Sequence, residues 1–253
     1  MPSVTQWLHI SQPNPHARLR LFCFPYAGGA ASIYRLWHQH LPAEIEVCAV
    51  QLPGRENRIR EQPFTDVDGV IQALIPNLLP YLDKPFAFFG HSMGTIIAYE
   101  LAQQLPQHHA RMPTHLLVSG RRAPFLPDPE PQLHSYPTDE GFLKLLQQRY
   151  NNIPDLILQD EELRKLFVPL LRADFTLVET YQYRAGPRLS CPIVAYGGTE
   201  DERASKDDLM AWQTLTESTF ALHRLPGGHF YLKDQANALL TIVANYLKST
   251  PFN

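Results

Sequence analysis

Apolar residues along this chain recur at two periods. Runs at residues 8–10, 19–24, 45–52, 86–89, 114–119, 191–197 and 220–225 are short and mostly apolar on both sides. Such runs read as strands, and their near-continuous hydrophobicity suits a sheet covered on both faces. Between them, apolar residues recur at helical spacing. Ser32 is placed to cap a helix running through Trp37 to Leu41, and Asp66 to cap one carrying Val67, Val70, Ile71, Leu74, Ile75, Leu78 and Leu79. Pro76 predicts a kink or break in the latter. Further helices are expected over 95–102, from Ser205 through Met210 to Leu215, and over 238–247. Strand–helix alternation of this kind predicts a mostly parallel sheet flanked by helices.

The alternation lapses once. Residues 122–186 begin with a proline-rich connector over 122–131 and continue with two helical stretches, 138–149 and 160–175, the second running on toward Tyr183. Both open on acidic residues, which suit a helix N-terminus. Phe142, Leu145, Leu146, Phe167, Leu170, Leu171 and Phe175 form their apolar positions, with Asp160 and Asp174 expected on the helix surface. The segment reads as a helical lid inserted into one α/β domain of 253 residues, its apolar face lining a site; a fixed, core-packed subdomain is the alternative.

Composition narrows the function. A net charge of -3 argues against a nucleic-acid partner. Cys23, Cys48 and Cys191 each sit in a strand-like run without a C-x-x-C pair, and read as buried thiols in a reducing compartment. The stretch Met1–Ile10 lacks a basic and then apolar leader pattern, and no apolar run is long enough to span a bilayer. A cytoplasmic, monomeric protein is expected. No spacing of His, Cys, Asp or Glu resembles a metal site, and neither G-x-G-x-x-G nor G-x-x-x-x-G-K occurs, so no cofactor is expected.

The chemistry centres on Gly90-His91-Ser92-Met93-Gly94, lying between an apolar run and a helix. A G-x-S-x-G string arises by chance in about one chain in ten of this size, so context has to carry the reading. Strand, G-x-S-x-G, then helix is the setting of a nucleophile elbow, where a strained turn lifts the serine hydroxyl above the sheet. A serine needs a base, and the base an acid to fix its tautomer. In the α/β-hydrolase fold these follow the serine in the order acid, then histidine. His229, in the Gly227-Gly228-His229 loop after the last strand, is the candidate base, and Asp201 the candidate acid, with Glu200 and Glu202 as competitors. His91 neighbours the serine, but its side chain should point away from it. Backbone N–H groups of Ala27, in the Gly-rich loop after an early strand, and of Met93 would form the oxyanion hole. Arg55, Arg58 and Arg60 could hold a phosphate or an acidic protein surface; equally, they could be solvated, with Glu56 and Glu61 as partners.

The stretches Phe24-Pro-Tyr-Ala-Gly-Gly29, Gln51-Leu-Pro-Gly-Arg-Glu56, Phe89-Gly-His-Ser-Met-Gly94, Gly198-Thr-Glu-Asp201 and Gly228-His229-Phe230 together resemble the type II thioesterases. These are the stand-alone editing enzymes of nonribosomal peptide and polyketide synthesis. The resemblance implies hydrolysis of aberrant or stalled acyl groups from the 4′-phosphopantetheine arm of acyl or peptidyl carrier proteins. It maps the nucleophile to Ser92, the base to His229, the acid to Asp201 and the oxyanion hole to Ala27 and Met93. The acid loop departs from the family in lacking a proline after the aspartate. A small-molecule esterase or acyltransferase with the same triad, and a non-catalytic carrier-docking module, remain as alternatives.

Overall fold

The computed structural model describes residues 5–248, so the first four residues of the Met1–Ile10 stretch lie outside the described residues. Among the described residues, seven strands form one sheet: β1 (Leu8–His9), β2 (Leu19–Phe24), β3 (Ile45–Val50), β4 (Phe86–His91), β5 (Leu116–Ser119), β6 (Ile193–Gly198) and β7 (Phe220–Leu225). Their spatial order is β1-β3-β2-β4-β5-β6-β7, and all are parallel except β1, which pairs antiparallel with β3. Eight α-helices accompany them: α1 (Val67–Leu78), α2 (Met93–Gln104), α3 (Asp139–Tyr150), α4 (Asp155–Gln159), α5 (Glu161–Thr180), α6 (Lys206–Met210), α7 (Tyr231–Asp234) and α8 (Ala236–Lys248).

Alternate residues of the central strands feed two cores, which is why their sequences show little polar alternation. Phe22 and Phe24 face α1 and α2, whereas Leu19, Leu21 and Cys23 face Tyr34, Trp37 and α8. Phe22, Phe24, Phe86 and Phe88 meet edge to face or tilted at centroid distances of 5.2–6.0 Å. All three cysteines are buried and unpaired.

Two local expectations are revised. Residues 31–39 form two short 3₁₀ turns instead of a helix capped by Ser32: Tyr34 and Trp37, three residues apart, both plug into the sheet face and set the tighter winding. Pro76 does not break α1, which continues to Leu78 before a further 3₁₀ turn. Asp66 caps α1 through Gly69 N–H, and Ser205 caps α6 in a capping box with Asp208.

Between β5 and β6 the chain follows an irregular path over 122–131 and then forms α3, α4 and α5. These helices have their own apolar cluster, in which Phe142, Leu143, Leu146, Val168 and Phe175 are buried.

Candidate active site

The turn joining β4 to α2 has the elbow geometry. Ser92 has φ 53° and ψ -112°, a strained conformation for a residue with a Cβ. It is held by Ser92 N–H donating to Ser119 O at 2.8 Å and by Thr95, whose hydroxyl donates to Gly90 O. A Cβ at Gly94 would strike the Phe24 carbonyl on β2, and one at Gly90 would strike the backbone of Gly94. Glycine at both positions is therefore a packing requirement of the turn.

The acid and the base reach this corner from neighbouring strands. The loops after β6 and β7 are stitched together by Thr199 N–H to Leu225 O and Glu200 N–H to Gly227 O, at 2.8 and 3.0 Å. Asp201 accepts from His229 Nδ1 at 2.9 Å through one carboxylate oxygen and from Arg203 N–H at 2.9 Å through the other. Its side chain is fully buried, while Glu200 and Glu202 are exposed, so the acid beside the imidazole is Asp201. With Nδ1–H donating to the carboxylate, Nε2 is left as the acceptor. That Nε2 is buried and has no hydrogen-bond partner among the described residues.

Three rings surround the imidazole: His91 and Phe230, each at 5.1 Å, and Tyr150, from α3, at 5.3 Å between centroids. His91 turns into the core, where its Nδ1 meets the Ser119 hydroxyl at 2.8 Å and that hydroxyl meets Tyr231 OH at 2.6 Å. Burial and the nearby His229 push the His91 pKa well below its ordinary value. The base thus rests on a neutral ring. Tyr150 escapes sequence reasoning because its last-turn position on α3 gives no sign that it reaches a loop 79 residues away.

Ser92 and His229 line a cavity of about 330 Å³ together with Tyr26, Ala27 and Gly28. Leu146, Phe167, Leu171 and Phe175 of the expected apolar face form its far wall, joined by Ile153, Ile157 and Val178. Phe142 is instead buried in the segment's own cluster, against which Leu145 packs, and Leu170 is buried. No acidic side chain lines this cavity. The opposite side of Ser92 and His229 opens on a small polar cavity edged by Arg121, Arg122, Arg149 and Arg203 with Asp128, Glu130 and Glu202. Ala27 borders the large cavity, and Met93 is the first residue of α2. Neither N–H makes a hydrogen bond among the described residues.

The three arginines after β3 are not an exposed anion site. Arg55 is 3% exposed and forms a bidentate pair with Asp174 of α5 at 2.8 and 3.0 Å. Arg58 is also buried: it donates to Glu61 and to the Gln51 carbonyl, and lies 4.1 Å from the Trp7 ring centroid. Both guanidiniums are buried and bonded to internal partners, so neither is presented to solvent as a phosphate ligand; Arg60 alone of the three is exposed. Asp174, expected on a helix surface, is 1% exposed. Among the described residues, no group of three or more His, Cys, Asp or Glu side chains could hold a metal ion.

Comparison with known proteins agrees with this geometry. Residues 19–247 match the thioesterase domain model. The chain is 42% identical over 250 residues to linear gramicidin dehydrogenase LgrE of Brevibacillus parabrevis, a match covering 98% of this chain and 94% of that one. It is 40% identical to gramicidin S biosynthesis protein GrsT of Aneurinibacillus migulanus, covering 97% and 95%. The type II thioesterase BorB of the borrelidin biosynthetic cluster superposes with a TM-score of 0.84 at 35% identity, over 96% of each chain. The family match sets the class of chemistry, and the word dehydrogenase belongs to the one relative that bears it. The chain belongs to the thioesterase domain family, on the type II branch that its motifs resemble.

Proposed function

We propose that this thioesterase hydrolyses aberrant or stalled acyl groups from the 4′-phosphopantetheine thiol of carrier proteins in nonribosomal peptide or polyketide synthesis, through Ser92, His229 and Asp201. The observation that carries the triad is His229, tied by Nδ1 to buried Asp201 and presenting an unpartnered Nε2 in the same two cavities as Ser92. In the first half-reaction the Ser92 hydroxyl adds to the thioester carbonyl and its proton passes to His229 Nε2. The Ala27 and Met93 N–H groups hold the oxyanion, and the dipole of α2 adds to them. The C–S bond then breaks, and the imidazolium returns the proton to the departing thiolate. Water, deprotonated by His229, hydrolyses the resulting acyl-serine.

The apolar cavity suits the acyl chain. The likeness to a gramicidin S biosynthesis protein and to a type II thioesterase of the borrelidin biosynthetic cluster supports a carrier protein as the donor. Among the described residues no helix is long and apolar enough to cross a membrane.

Purified protein incubated with acyl-loaded carrier protein, with free carrier followed by intact mass, tests the proposal. Release that depends on Ser92 supports it. Equal release by Ser92→Ala contradicts it, a strong preference for soluble esters favours the esterase reading, and no release from any substrate leaves the docking reading.

A further inference from the structure

The buried ion pair Arg55–Asp174 is unused by the mechanism above, yet it touches the loop that carries Ala27. Asp174 Oδ2 accepts the Gly28 N–H at 2.7 Å while pairing with Arg55. Arg55 in turn donates to the Gly29 carbonyl at 3.0 Å and to the Pro53 carbonyl at 3.1 Å. Gln51 extends the hold: its side-chain oxygen accepts from Ala31 N–H at 2.7 Å, and its amide donates to Arg55 O. The loop after β2 is thereby gripped at residues 28, 29 and 31 by side chains from β5–β6 helix α5 and from the loop after β3.

The local backbone makes this grip consequential. Gly28 has φ +76°, and a Cβ there would lie 2.6 Å from Leu171 Cδ2, so α5 presses directly on the loop. The peptide unit whose N–H meets Asp174 begins at the Ala27 carbonyl carbon. The Ala27 N–H belongs to the adjoining peptide unit, joined to this one at the Ala27 Cα, so fixing the Gly28 N–H limits the orientations open to the Ala27 N–H. A buried charge pair is a demanding way to hold a loop, because desolvating both ions offsets much of their attraction. Its benefit here is directional: two forked hydrogen bonds and a third to Gly28 set an orientation that apolar packing would leave loose.

We propose that Asp174, supported by Arg55, is a positioning residue that aims the Ala27 N–H at the oxyanion formed on Ser92. The proposal rests on the reading of Ala27 as an oxyanion-hole donor. It predicts an effect on the transition state with little effect on ground-state binding.

Two variants test it. Arg55→Met combined with Asp174→Leu removes both charges together, so neither ion is left buried alone. Asp174→Asn keeps the shape of the site and carries the test should the double variant not fold. Each is checked by thermal melting, then assayed on acyl-pantetheine thioester for kcat and KM, and for affinity toward a trifluoromethyl ketone that forms a tetrahedral adduct with Ser92. A folded variant should lose about 10- to 100-fold in kcat, the scale of a misplaced catalytic group, with KM changed by less than about threefold. Affinity for the ketone should fall in parallel. Unchanged kcat in a folded variant, or a loss confined to KM, overturns the proposal. The mechanism fails separately: its failure would appear as hydrolysis by the parent enzyme that does not need Ser92.

Discussion

Ser92 lies between two walls held together by different physics. On the sheet side, aromatic and aliphatic side chains fill both faces, and the catalytic turns are pinned by backbone hydrogen bonds between adjacent strands and loops. On the helical side, α3, α4 and α5 share a much smaller apolar cluster, and α4 buries no residue at all. That segment is tied down by polar clasps. Asp174 meets Arg55 and Gly28; Glu179 accepts from Leu133 N–H and His134 N–H at 2.8 and 2.9 Å; Arg172 reaches the His134 and Tyr136 carbonyls. The difference separates two tasks. The sheet side presents Ser92, Asp201 and His229, the three residues proposed for the chemistry. The helical side lines the cavity and reaches the corner beneath it at two points, Tyr150 against the His229 ring and Asp174 against the Gly28 N–H.

The largest expected effect is on the sheet side. Ser92→Ala should reduce hydrolysis by about 10⁴- to 10⁶-fold and Asp201→Asn by about 10⁴-fold, both measured as kcat/KM on an acyl-carrier substrate. Melting temperatures close to that of the parent would place these losses in the chemistry. A loss below tenfold for either would break the assignment.

Packing should show the same asymmetry in stability. Phe89, fully buried between Tyr34, Trp37 and Tyr196, should cost about 3–5 kcal/mol as Phe89→Ala in chemical denaturation.

A third expectation concerns acid. Burial lowers the pKa of His91, with the nearby His229 adding to it, and burial also lowers those of His115 and His223. In the unfolded chain these histidines titrate near ~6.5, so below that pH the unfolded state binds more protons than the folded one. Their contribution is complete above about pH 6.5 and is lost as the pH falls toward their folded values, most steeply for buried His91 and least for partly exposed His223. Melting temperature should therefore fall on acidification from neutral pH. His91→Gln should shallow that slope, and an unchanged slope would show that His91 is not held neutral.

The smallest effect belongs to the helical side. Leu156 on α4 is 63% exposed, so Leu156→Ala should leave stability within about 0.5 kcal/mol. A larger loss would mean that α4 contributes to the fold more than its exposure indicates.

The sheet side was also the side legible in the sequence. Periodicity and turn residues located β2, β4 and β7 and the caps Asp66 and Ser205, because those signals are local. Ser92, Asp201 and His229 each sit in a loop at the end of a parallel strand, where chain order alone narrows the choice. The contacts that escaped link residues far apart in the chain. Arg55 and Asp174 are 119 residues apart, and neither carries a local sign of burial, so one read as a loop arginine that either holds an anion or is solvated, and the other as helix surface. Tyr150 was missed for the same reason. A lone charged or aromatic residue on a helix declares its partner only once the helix is docked.

The most direct measurement of the central claim is the acyl-enzyme itself. Parent enzyme mixed with excess acyl-pantetheine thioester, quenched in acid on the timescale of one turnover, digested and analysed by mass, should carry the acyl group on the peptide containing Ser92. That species should form and decay at least as fast as kcat. Product release with no acylation of Ser92, or acylation of another residue at a competent rate, would contradict the account.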